Sequence, residues 1–266
     1  VFSDPAYAVR HQMLLMGSGA DLIATRIGAN REDCDAVALR SQQRAALAQQ
    51  EGRFQSIIPV ETPGGMISED ECIRADMTAE RLAKLPAAFA ELGAAGADQV
   101  QLQKFPELSA IEHVHTMGNS PAMCDAGALV LLGDEALGKS LGITPKARLV
   151  TSTTGSGEPL EVVSGCVTAT EALLADQKRR AQDIDLFEIH EAFAATVVKT
   201  RQVLDIDNSC LNVNGGVIAL GHPMGATGAI MTGMLIDELH RQKLRNGIVA
   251  ASGAAGSGSA LLLERC

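Results

Sequence analysis

The sequence predicts an α/β layered fold. Three observations carry this: apolar runs of strand length alternate with helical stretches from residue 125 onward, glycine-rich turns separate them, and residues 6–50 read as helical throughout. Asn30-Arg31-Glu32-Asp33 opens a helix whose apolar positions are Val37, Leu39, Ala45, Ala46 and Leu47, and Gly52 stops it. Ser56 to Val60 is a short strand, Thr62-Pro63-Gly64-Gly65 a turn, and Thr78 to Leu85 a helix ended by Pro86. Gly93 to Gly118 is irregular, with Pro106 and two histidines. Gly127 to Leu132 and Arg148 to Thr153 are strands and Thr168 to Ala175 a helix. Leu186 to Ile189 is a third strand, running into a helix from Glu191. Gly225 to Arg241 is a long helix rich in small residues, and Gly247 to Ala251 with Ser259 to Leu263 forms a closing strand pair. No internal repeat is visible.

Of the 266 residues 46% are hydrophobic and 20% charged, which marks a globular chain. Twenty-six glycines, no Trp and one Tyr point to close backbone packing. The net charge of −10 argues against a general nucleic-acid binder, and no apolar run reaches the roughly 18 residues of a membrane span. Six scattered cysteines form no C-x-x-C pair. The expectation is therefore no metal site, no disulfide framework and a reducing, cytoplasmic location. The start, Val1 to Pro5, has neither an initiator Met nor a signal pattern, so a processed chain or a further upstream segment is expected.

The most specific segment is residues 212–229, N-V-N-G-G-V-I-A-L-G-H-P-M-G-A-T-G-A. It sets His222 in a glycine-rich turn before a long helix. Pro223 suits helix entry, and Gly225, Ala226 and Gly228 admit a close neighbour. A neutral imidazole there can activate a thiol or donate a hydrogen bond to a developing oxyanion. An isolated G-H-P is more often a histidine satisfied in a core turn; the surrounding residues reverse that reading. The second segment is E-I-H-E-A-F-A-A, residues 188–195. A strand ends and a helix begins, which aims His190 and Glu191 at the carboxyl edge of the sheet, where open α/β sheets hold ligands. Alone, His and Glu at a helix start are ordinary caps.

In their order, these two motifs and the glycine-rich closing strand pair resemble the thiolase family. His190, in place of the more common Asn, is similar to the branch that handles longer acyl chains in fatty-acid β-oxidation. Met16-Gly17, Arg31 to Asp35, Ser41-Gln42, Gly52-Arg53-Phe54 and Ile58-Pro59-Val60 look like that family's CoA-covering loop domain. The resemblance implies a thiolase fold with a layered α-β-α core and an α-rich loop domain. Residues 1–122 would be the loop domain, 123–147 the end of the N-terminal core domain, and 148–266 the C-terminal core domain with a mixed five-stranded sheet. It also implies a homodimer or homotetramer, acyl-CoA and CoA as substrates, and no permanently bound cofactor. The reaction implied is acyl exchange between 3-ketoacyl-CoA and CoA through a cysteine thioester.

By the same resemblance His222, His190 and Ser252 fill catalytic places. Arg74 matches an arginine on the nucleotide part of CoA; Met16, Ala88, Phe89, Gly118, Asn119, Ala192, Phe193 and Gly221 match positions along the pantetheine tunnel. Two departures matter. The segment expected to bear the nucleophilic cysteine lies ahead of residue 1, and Ser252 stands where the family has its acid/base cysteine. A thiol titrates near about 8.5 while a serine hydroxyl does not titrate in the working range. Losing that base forfeits ~10²–10⁴-fold in carbon–carbon chemistry, while acyl transfer or hydrolysis survives. Leu15 and Pro121 also depart, where His and Ser are common, and residues 93–115 run longer than usual. Two alternatives follow: a catalytically degenerate, thiolase-like CoA-binding or scaffolding subunit, and a thiolase-fold hydrolase or acyltransferase for a non-ketoacyl substrate. Without the missing segment the chain is expected to expose a large apolar face.

Overall fold

A computed structural model describes residues 14–266, so the readings made for residues 1–13 lie outside the described residues. The first helix, α1, is Met16–Ile27, ended by Gly28 in the left-handed conformation; α2 is Arg31–Gln50. The helical stretch read through residue 50 is thus two helices, the second opening at Asn30 as expected. Gly28 breaks it, and Asn30 restarts it through reciprocal bonds of 3.0 Å, its Oδ1 accepting from Asp33 N–H and its own N–H donating to the Asp33 carboxylate. A hairpin follows, β1 Val60–Thr62 and β2 Gly65–Ile67, turning at the predicted Pro63-Gly64. The strand expected over 56–60 reduces to Val60, because the residues before it have no pairing partner. Next come α3, Ala79–Ala83, capped by Thr78, and α4, Asp98–Lys104, the one regular helix of its length in the stretch read as irregular.

From there the elements are α5 Glu135–Leu141, β3 Ala147–Ser156, α6 Gly165–Asp176, β4 Leu186–Ile189, α7 Ala194–Leu204, α8 Thr227–Gln242, β5 Asn246–Ser252 and β6 Ser257–Arg265. The sheet runs β3-β6-β5-β4, with β4 parallel to β5 and β6 antiparallel to both of its neighbours. The fifth strand is only a stub, a single parallel bridge from Phe187 to Leu211.

Alternation along the strands sorts the core into layers. Phe187, Ile189, Ile248, Ala250, Ala260 and Leu262 face α6 and α7, over which α1 and α2 lie. Leu186, Val249 and Leu263 face Met231, Leu235 and Leu239 of α8 on the other side.

Residues 127–132 form no strand. They carry no regular secondary structure, and Leu129 is 91% exposed. Apolar content and length made them read as a strand, but a strand requires a neighbour to exchange backbone hydrogen bonds with, and none of the described strands pairs with them. Leu131 and Leu132 are also open to solvent.

The start of α6 meets β6 at a point where only glycines fit. A Cβ on Gly258 would fall 2.1 Å from the carbonyl carbon of Gly165, and one on Gly165 would fall 2.1 Å from the Ser257 carbonyl oxygen. Gly258→Ala is therefore expected to destabilise by at least about 1–3 kcal/mol through overpacking, read as a lower urea midpoint at unchanged slope.

Candidate active site

His190 leaves the carboxyl end of β4, its N–H donating to Ala250 O of the neighbouring β5 at 2.8 Å. His222 sits in the loop before α8, where its N–H donates to Ala122 O at 2.8 Å and a parallel bridge joins it to Met123. These two anchors bring the rings together, with centroids 4.5 Å apart and planes inclined by 41°. The loop reaches this position through positive φ at Gly215 (79°), Gly221 (88°) and Met224 (47°).

Both imidazoles are held neutral. His190 is buried, and desolvation first, then the neighbouring His222, lower its pKa from 6.5 to about 4. Neither of its ring nitrogens hydrogen-bonds to another protein group; the Ser252 carbonyl lies close enough to favour protonation slightly without forming such a bond. A buried polar group without a protein partner calls for a polar ligand or water. His222 is half-buried, and desolvation lowers its pKa too. Its Nδ1 lies 2.8 Å from Thr227 Oγ1, and that hydroxyl has no other acceptor among the described hydrogen bonds. This one hydrogen bond anchors the ring at its Nδ1 edge.

Glu191, expected at the ligand edge, is turned into the core instead. Its carboxylate accepts from Ser41 Oγ of α2 (2.7 Å), Asn212 Nδ2 (3.1 Å) and Ile218 N–H (3.0 Å). Burial raises its pKa and these donors oppose the rise. The residues just before α7 serve this network, so the helix expected from Glu191 starts at Ala194.

Ser252, at the end of β5, accepts a 3.0 Å hydrogen bond from Cys166 N–H at the start of α6. Arg74 is exposed, but its backbone N–H donates to Gln42 Oε1 (2.7 Å), and Gln42 Nε2 donates to Ile218 O (3.3 Å), which ties its segment to the His222 loop. The expected tunnel residues fall into a second group. Phe193 meets Phe89 edge-on at 5.7 Å and His115 at 5.4 Å; the Phe89 ring covers Gly17 beside Met16, and Ala88 N–H donates to His115 O at 2.8 Å. Ala192 N–H donates to His190 O at 2.8 Å and Ala194 N–H to Asn119 O at 3.2 Å, which links this group to the imidazole pair. Gly118 packs on Leu82 and Leu85. The Asn119 side chain is committed inward, accepting from Thr116 N–H and donating to Asp35 and Val114 O, so its amide has no role toward a ligand.

Sequence reasoning missed three groups. Thr227 is one, although its position in the first turn of α8 is a signal. The others are the contact of Cys72 with Cys124 and the use of the two histidines in the irregular stretch. His113 Nδ1 lies 2.8 Å and His115 Nδ1 2.7 Å from the fully buried Asp21 of α1. Burial opposes protonation of His113, but Asp21 and then Asp98 outweigh it and raise its pKa.

Fold and site define an α/β layered protein with paired imidazoles at the carboxyl edge of its sheet. The chain belongs to the thiolase family: the profile of the thiolase C-terminal domain matches residues 143–265 and that of the N-terminal domain residues 4–101. It is 36% identical to an acetyl-CoA acetyltransferase of Allochromatium vinosum over 94% of this chain and 60% of that protein. To a 3-ketoacyl-CoA thiolase of Bacillus subtilis it is also 36% identical, over 94% and 63%. Among solved structures, human mitochondrial 3-ketoacyl-CoA thiolase in complex with CoA superposes with a TM-score of 0.81 at 30% identity, covering 97% of this chain and 60% of that one. The chain spans about 60% of the length of the relatives it matches.

The site's electrostatics set a pH dependence. His190 is neutral when folded and takes a proton near 6.5 when unfolded, so its contribution is complete above that value and is lost as pH falls toward about 4. The loss is on the order of 3 kcal/mol. Urea midpoints measured across this window should fall in the wild type and stay flatter in His190→Asn. Glu191→Ala is expected to cost about 1–3 kcal/mol for each donor left unpaired, and differential scanning calorimetry reads that loss.

Proposed function

We propose that this chain supplies the histidine half of a thiolase-type acyltransferase that exchanges acyl groups between 3-ketoacyl-CoA and CoA. The observation that carries the reading is the 4.5 Å imidazole pair, both members neutral. In this reading Nε2–H of His222 donates to the oxyanion that develops on the thioester carbonyl, and His190 supplies the second donor, directly or through a water it holds. Preorganised donors of this kind do most work in a site that excludes water. Arg74 meets the nucleotide part of CoA, while Met16, Ala88, Phe89, Gly118, Asn119 through its backbone, Ala192, Phe193 and Gly221 line the pantetheine arm.

A nucleophilic cysteine needs a lowered pKa. Cys34 is pushed up to about 12, and Cys124, Cys166 and Cys210 are raised as well, in each case first by burial. None of these four suits that role, and none of the six cysteines stands in the family's nucleophile context, so the nucleophile is proposed to come from a cysteine beyond these 266 residues. Residues 1–122 form the loop domain, 123–147 the end of one core domain and 148–266 the other, in a homodimer or homotetramer. Unpaired cysteines suit a reducing compartment such as the cytoplasm.

A second reading, a CoA-binding subunit that has lost catalysis, draws on Ser252. Its hydroxyl is held by Cys166 N–H at the start of α6 and has no thiol's capacity to take the α-proton.

The complete protein with acetoacetyl-CoA and CoA should yield acetyl-CoA, measured by chromatography. His222→Ala should lower the rate ~10²–10⁴-fold, and Ser252→Cys should raise it. Absence of product from well-folded protein sinks the first reading; calorimetric CoA binding in that same sample then supports the second.

A further inference from the structure

Cys72 lies between the β1–β2 hairpin and α3, and Cys124 ends the strip whose backbone pairs with His222. They converge on Gly221. A Cβ at Gly221 would fall 2.6 Å from Sγ of Cys124 and 3.1 Å from Sγ of Cys72, so the sulfurs are separated by no more than the sum of those distances. Both residues are half-buried free cysteines, open enough for a small oxidant to reach. Their contact is also electrostatic: burial first, then Cys72, then Asp70, raise the pKa of Cys124.

We propose that Cys72 and Cys124 are a redox-active dithiol, a modification site beside His222 that closes to a disulfide when the protein meets a peroxide. One of the two thiols, as its thiolate, attacks a peroxide oxygen; the O–O bond breaks, the leaving hydroxide takes up the proton that thiol released and departs as water, and the attacking sulfur becomes a sulfenic acid. The sulfur of the other cysteine then attacks it, forming the S–S bond and expelling the hydroxyl as a second water that carries away the second thiol's proton. Two electrons pass from the two thiols to one peroxide, which is reduced to two waters. A thiol such as glutathione returns the pair by exchange. Disulfides of this transient kind are the ones a reducing compartment tolerates. The bond tethers the segment that leads into Arg74 to the strip that holds His222 in register.

The test uses the intact protein, treated with hydrogen peroxide, then blocked with N-ethylmaleimide and digested for mass spectrometry. The expected product is a Cys72–Cys124 linked peptide, lighter by two hydrogens than its reduced parts, in large excess over any other cysteine pair and reversed by dithiothreitol. The melting temperature of the oxidised protein should rise by several degrees, and Cys72→Ser and Cys124→Ser should each abolish the rise. Alkylation of both cysteines after peroxide overturns the proposal, as does linkage of either one to another cysteine or oxidation of each without linkage. The wild-type digest alone decides this if a variant fails to fold. No turnover enters the readout, so its result is independent of the acyltransferase reading.

Discussion

The carboxylate of Glu191 sits out of reach of water where three stretches of chain meet, and the geometry of the site depends on it. A charge so placed is costly unless it is fully hydrogen-bonded. The donors come from α2, from Asn212 and from the turn after Gly216. The glycines of that turn serve the carboxylate: a Cβ at Gly216 would fall 2.3 Å from Cδ of Glu191, and one at Gly215 would fall 2.6 Å from Ser41 O. The His222 loop is thus shaped from inside the protein before any ligand is considered.

On that frame the sheet and the loop set two imidazoles side by side, tilted against each other. β4 delivers His190 because its N–H continues the parallel ladder onto Ala250, and the 120–124 strip delivers His222 in the same way from the other side. Neutrality follows from placement, since two cationic rings at 4.5 Å in a poorly solvated site would repel and each would lose hydration. Thr227 adds what burial cannot, a hydrogen bond that anchors the His222 ring.

The helical layer over α7 is tied down by charge as well as by packing. Asp21 grips both histidines of the 113–115 segment, and the buried Glu161 pairs with Arg26 of α1 and Lys199 of α7. These contacts hold Gly17 under Phe89 and Phe89 against Phe193, so the aromatic group beside the imidazoles inherits its position from ion pairs some distance away.

Local chemistry made much of this legible. The capping box at Asn30, the turn at Pro63-Gly64, the strands after residue 147 and the G-H-P loop all follow from residue types at short spacing, because caps, turns and strand periodicity are settled by near neighbours. The sequence by itself determined the α/β class, the helix and strand order of the last 120 or so residues, and His222 and His190 as a pair worth seeking. Tertiary structure decided the rest. Glu191 faces inward and Asn119 spends its amide on the backbone, since a buried polar group goes where its donors and acceptors are. Residues 127–132 stay unpaired because a strand is a property of two segments. Cys72 and Cys124 meet across a glycine that neither adjoins in sequence, and a contact between distant segments leaves no trace in local composition.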